Sequence, residues 1–195
     1  MMIQGERVRL RALEEEDAED CWRWFNNWDV VRNLESRYPL SRPAEREIVE
    51  RLMKPQPNDK VFAIETLDGG LYLGNVGLHR ISWEDRRATF GIFIGEKAYW
   101  GKGYGTDATR AVLRFAFDEM NLNRIDLQVL DDNERGLRCY EKIGFSREGV
   151  QRQYRYREGR YVDMVMMSIL RQEYEARRDE FIPKPAEKPL HGKEA

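Results

Sequence analysis

The sequence predicts one α/β (α+β) domain, and three stretches predict it. First, Ala88–Ile94 is β-branched and aromatic, a largely buried strand. It runs through the glycine-rich turn Tyr99-Trp100-Gly101-Lys102-Gly103-Tyr104-Gly105-Thr106 into an amphipathic helix of about four turns, on which Ala108, Val112, Leu113, Phe115, Ala116 and Phe117 recur at helical spacing. Second, Arg124–Leu130 alternates as a strand and precedes a short helix, Asp131 to Phe145, closed by Gly144. Third, 61–67 with 71–83, and 145–157 with 160–169, read as hairpins joined at Asp68-Gly69-Gly70 and Glu158-Gly159.

Residues 7–13 form the first strand. Acidic residues from Glu14 to Asp20 suit the first turn of an aromatic helix that runs through Trp22, Trp24 and Phe25. Ser41 caps a second helix, with Pro43 tolerated early and Ile48, Val49, Leu52 and Met53 on its apolar side; Pro55 and Pro57 stop it. A turn at Glu84–Arg87 feeds the strand at 88–94, and a polar helix spans about 170–181. The domain is 1–181. Residues 182–195, rich in proline and nearly without apolar side chains, are expected to be a mobile tail.

Composition narrows the function classes. The chain has 195 residues, 41% of them hydrophobic, enough for one substantial core. A net charge of −2 gives no bulk attraction to nucleic acid. Cys21 and Cys139 lie in predicted helices, without disulfide or metal spacing, and fit a reducing compartment. No run of about 18 apolar residues suggests a membrane span, and the first residues lack a signal peptide's apolar core. A cytoplasmic protein is expected.

Glycines between a strand and a helix let backbone N–H groups converge where the helix dipole is positive, a geometry suited to phosphate. Such turns also arise for steric reasons, and this one matches neither a P-loop nor a dinucleotide fingerprint. Residues downstream of the turn decide between these readings. With Glu6-Arg7-Val8-Arg9-Leu10-Arg11-Ala12-Leu13 at the start, the loop at 101–106, and Asn133 followed by Tyr140-Glu141-Lys142-Ile143-Gly144-Phe145, the chain resembles the GNAT family of acetyl-CoA-dependent N-acetyltransferases. The likeness runs from about residue 5 to 175, within the branch that acetylates ribosomal proteins and polyamines.

The resemblance implies a mixed, mostly antiparallel twisted sheet, splayed at its middle, with helices on both faces. It also implies acetyl-CoA as cosubstrate and no metal. The pantetheine arm would insert between the strands at 88–94 and 124–130. Backbone groups of Ile92, Phe93 and Ile94 would hold it there, one N–H facing the thioester oxygen. N–H groups of Gly101, Lys102, Gly103, Tyr104, Gly105 and Thr106 would hold the pyrophosphate, with Lys102 adding charge. Tyr140 would protonate the departing thiolate. Asn133 reads equally as a helix cap or a contact to the arm. Gly136 stands where relatives carry alanine, and Arg138 is a weaker phosphate contact.

Three departures stand out. Trp100 occupies the loop position where relatives usually carry glutamine or arginine. Thr89 and Gln128 replace the two carboxylates that relatives use as a base, so no general base is inherited. An α-amine, titrating near about 7.7–8.0, needs less help than a lysine near about 10.4. The acceptor expected is therefore a protein or peptide N-terminal amine, with Glu35 in the connection 33–38 as its candidate contact. A polyamine, a small aminated metabolite or antibiotic, and a non-catalytic CoA-binding module are the alternatives. The hairpin Arg152–Arg157 alternates basic and aromatic residues, read as an antiparallel strand with a solvated face rather than an RNA contact. The tryptophans and the C-terminal helix suit a homodimer.

Overall fold

The computed structural model describes residues 3–183, so the tail expected at 182–195 lies almost wholly outside the described residues. The elements are β1 (Ile3–Gln4), β2 (Val8–Arg11), α1 (Asp17–Phe25), α2 (Trp28–Val31), α3 (Arg42–Met53), β3 (Lys60–Thr66), β4 (Tyr72–Ser82), β5 (Arg87–Ile94), α4 (Tyr104–Arg114), β6 (Arg124–Leu130), α5 (Glu134–Ile143), β7 (Ser146–Arg157), β8 (Arg160–Leu170) and α6 (Arg171–Ala176). The strands form one sheet ordered β1-β2-β3-β4-β5-β6-β8-β7. Neighbours are antiparallel except β5 and β6, which run parallel.

Alternation along the strands divides the core in two. Ile64, Leu78, Phe90, Leu127 and Val129 face α4 and α5, together with Val112, Leu113 and Phe117. Ala63 and Tyr72 face the other side, where Ala18, Cys21 and Trp24 of α1 and Val49 of α3 cover them. Ser41 caps α3 by accepting from the Ala44 N–H at 3.3 Å. Gly144, at φ 119°, ends α5 as expected.

Some boundaries differ from expectation. The four-residue α2 and two-residue β1 are additional elements. The long helix after the glycine turn is α-helical only to Arg114 and finishes as a π-turn, Phe115–Glu119. The polar helix at 170–181 breaks after Ala176, where Arg177 leaves helical geometry at φ −124°; a 3₁₀ turn, Arg178–Phe181, then tucks Phe181 into the core.

A carboxylate on α4 ties the N-terminal strands to the glycine turn. Asp107 accepts backbone N–H bonds from Glu6 (2.9 Å), Arg7 (2.8 Å) and Val8 (3.0 Å). The chain comes so close that a Cβ on Gly5 would lie 2.3 Å from this carboxylate. Asp107→Ala leaves three donors without their acceptor. It is expected to lower stability by about 2–3 kcal/mol, since bonds to a charged group are worth about 1.5–3 kcal/mol each and these are partly wet. Denaturant unfolding of the variant beside the parent checks this.

Candidate active site

The sheet opens where β5 and β6 part. They pair only from Arg87–Thr89 to Arg124–Asp126; beyond Thr89 the strands diverge. Into that gap opens a cavity of about 760 Å³, lined by β5, β6, the glycine turn, α5 and the connection after α2.

On the β5 wall are Phe90, Gly91, Ile92, Phe93 and Ile94. In an antiparallel ladder, alternate residues turn both backbone groups away from their partner strand. The Gly95 N–H is bonded to the Leu73 carbonyl of β4 at 2.8 Å. By that phase Ile92 and Ile94 face the gap, whereas Phe93 faces Asn75 of β4. The Ile94 carbonyl is already engaged: the Trp100 indole N–H donates to it at 2.7 Å. Arg135 of α5 lies over the Trp100 ring, 4.4 Å from its centroid. Trp100 thus locks the start of the turn to the end of β5 and offers a platform for a cation.

Gly101, Gly103, Gly105 and Thr106 line the cavity. Gly101 and Gly103 have φ of 72° and 88°, and nothing lies within 4 Å of where a Cβ on either would sit. The first-turn N–H groups of α4 have no intrahelical acceptor, so the turn presents donors to an anion. Arg135 and Lys142 add positive charge to the lining. These groups fit the phosphates of acetyl-CoA. Lys102 and Tyr104 are not in the lining: the Lys102 ammonium is 5.8 Å from the Tyr99 ring centroid, and Tyr104 packs edge-on to Tyr99. The Thr106 hydroxyl meets the Cys139 sulfur at 3.2 Å, joining α4 to α5. Asn133 lines the cavity and caps α5, its Oδ1 accepting from the Gly136 N–H at 3.1 Å.

Tyr140 also lines the cavity, held edge-on against Phe90 and Phe145 with centroids 6.0 and 5.8 Å away. Its hydroxyl has no protein partner among the described residues. Burial raises its pKa well above the ordinary phenol value, so it stays protonated and able to donate.

Asn33, Leu34 and Glu35 of the connection after α2 also line the cavity, as do His79 and Arg80 of β4. Two arginines from β7 hold this connection. Arg155 donates to the Leu34 carbonyl and, at 3.4 Å, to that of Ser36; Arg157 donates to the Arg32 carbonyl and to Asp132 at 2.5 Å. Both are buried, while Tyr154 and Tyr156 lie exposed. The solvated face expected of this hairpin is therefore tyrosine, not arginine, because backbone carbonyls of the connection reward the guanidinium groups for turning inward. Thr89 bonds Asp126 at 3.0 Å, and Gln128 is in the lining.

The residue that sequence reasoning missed is His79. Its Nδ1 is 3.0 Å from Asp59 Oδ1, and it stands opposite Thr89 in the β4–β5 register. The sequence signal for it is that cross-strand pairing, which a reading confined to carboxylates at 89 and 128 does not touch.

A splayed mixed sheet, a glycine turn at a helix N-terminus and a tyrosine in the gap fit the acyl-CoA-dependent acyltransferase that the sequence resemblance implies. The profile of the acetyltransferase (GNAT) domain matches residues 7–146. The chain is 31% identical over 178 residues to the spermidine N(1)-acetyltransferase of Escherichia coli K12, covering 89% of this chain and 91% of that one. The crystal structure of spermidine N-acetyltransferase from Vibrio cholerae in complex with CoA and spermine superposes with a TM-score of 0.79 at 28% identity, covering 86% of this chain and 97% of that one. A GNAT-family acetyltransferase from Bacillus anthracis gives 0.76 at 26%, covering 88% and 99%. The chain belongs to the GNAT family, and it is an acetyl-CoA-dependent N-acetyltransferase. Among the described residues, no helix is long and apolar enough to cross a membrane.

Proposed function

We propose that this enzyme acetylates a protein or peptide N-terminal α-amine, with Tyr140 as the general acid that protonates the departing thiolate. The observation that carries the acceptor reading is the charge of the cavity lining: among the described residues Glu35 is its one carboxylate, against Arg80, Arg135 and Lys142. One carboxylate suits one cationic amine at the end of a chain. A polyamine carries several positive charges and would meet repulsion from the three cationic side chains of the lining.

Backbone groups of Ile92 and Ile94 hold the pantetheine arm in this reading, and N–H groups of the glycine turn hold the pyrophosphate. Lys102 and Tyr104 contribute through backbone alone. Asn133 acts by fixing the start of α5. The free thiols Cys21 and Cys139 agree with a cytoplasmic setting.

The spermidine and spermine named for two relatives support a second reading, acetylation of a polyamine. Thiol release from acetyl-CoA separates the two. Peptides beginning with Ala, Ser or Thr are expected to be turned over with kcat/KM at least about tenfold above spermidine, a margin of about 1.4 kcal/mol in transition-state binding. A preference for spermidine would move the assignment to the polyamine.

A further inference from the structure

The reaction needs a base for the incoming ammonium, and neither Thr89 nor Gln128 can serve as a carboxylate. We propose that His79, oriented by Asp59, takes that proton. The inference rests on the acetyl-transfer reading above.

Four observations converge. His79 lines the cavity, as do Leu34 and Glu35 of the connection after α2. Its Nδ1 lies 3.0 Å from Asp59 Oδ1. An ionised carboxylate only accepts, so the Nδ1–H donates and leaves the Nε2 lone pair free. No protein group among the described residues bonds Nε2. Gly77 and Gly91, paired across β4 and β5, make room for the ring. A Cβ on Gly77 would come within 2.9 Å of Nε2, and one on Gly91 within 3.5 Å of Nε2 and Cδ2. The imidazole therefore lies along the strands toward Phe93 and the opening of the sheet. Finally, the backbone is irregular just past it: the β4–β5 register shifts between His79 and Ser82, and Arg80 has φ 51°. Bulges of this kind re-aim side chains beside active sites.

Every proton in the transfer has a place. The acceptor ammonium gives one to Nε2, and the freed lone pair attacks the thioester carbonyl carbon. When the C–S bond breaks, the sulfur takes a proton from Tyr140. The nitrogen's second proton restores the phenol, and His79 returns its own to water. Products are the amide, the free thiol and one proton.

Charged groups around His79 are Asp59 before β3, Lys60 on β3, Arg80 on β4, Glu35 in the cavity lining and Asp126 on β6, which is bonded to Thr89. The test is the pH profile of kcat/KM for an Ala-initiated peptide, with spermidine run beside it, in the parent, His79→Gln and Asp59→Asn. In the parent an acidic limb is expected, since an imidazole that already carries a proton on both nitrogens cannot accept one from the ammonium. His79→Gln should lose about 100-fold or more at neutral pH, flatten that limb and leave KM for acetyl-CoA within about threefold. Asp59→Asn should move the limb while retaining the acetyl-CoA KM, a result that mere destabilisation would not give. A His79→Gln enzyme with the parent's rate and limb would overturn the proposal. Turnover of spermidine alone would change the acceptor reading only, and the His79 comparison is then read on spermidine with the same two outcomes.

Discussion

Tyr140→Phe is expected to lower kcat by about 10²–10³-fold while KM for acetyl-CoA stays within about threefold. The ring survives the substitution, and with it the edge contacts to Phe90 and Phe145 that seat α5 against β5. What disappears is a protonated hydroxyl that lines the gap between β5 and β6. The pH dependence gives a second check. Burial raises the phenol's pKa, so the donating form persists above the pH at which an exposed tyrosine ionises. The parent's kcat should therefore show no alkaline fall near about pH 10. A variant that keeps the parent's kcat would remove Tyr140 from the chemistry and leave it a packing residue.

The sheet, the glycine turn and the seat of Tyr140 were legible because each is written locally. Arg124–Leu130 alternates cleanly and forms a strand over those same residues. The Gly144 stop ends α5 as expected, while the Asn133 cap starts it at Glu134, three residues after the Asp131 start read from the sequence. The four-residue α2 is too short for a periodicity to register, and depends on Asn27 accepting the Asp29 N–H at 3.1 Å. His79 was hidden for another reason: its place comes from a register across two strands, two glycines opposite one another and a carboxylate 20 residues earlier. The inward turn of Arg155 and Arg157 was invisible too. Alternation shows that one parity of a strand is buried but not which, and arginines are usually outside. Trp100 was visible as a departure, but its bond to the Ile94 carbonyl exists only once the turn has folded back on β5.

Gly74→Ala should be strongly destabilising. In β4, Glu65 faces Tyr72 while Ile64 faces Gly74, so Leu73 is the extra residue of a bulge. That bulge turns the Leu73 carbonyl to the N–H groups of Gly95 and Glu96, at 2.8 and 3.3 Å. Gly74 makes the turn with φ +148°, which L side chains rarely adopt. A Cβ there would lie 2.2 Å from the Phe93 carbonyl oxygen, 3.0 Å from Ile94 Cα and 3.1 Å from the Gly95 nitrogen. All three are backbone, so no rotamer change relieves the clash. Strain and overpacking together are expected to remove about 4 kcal/mol, or about 10–15 °C in Tm for a domain of this size. Gly69→Ala is the control: at φ +80° it is strained as well, but nothing lies within 4 Å of the added methyl, and about 1–2 kcal/mol is expected. The two differ in function as well. Gly74→Ala forces β4 and β5 apart at Phe93–Gly95, displacing the Ile94 carbonyl from Trp100, and so should raise KM for acetyl-CoA at temperatures where the variant is still folded. Gly69→Ala, in the β3–β4 turn, should leave that KM unchanged.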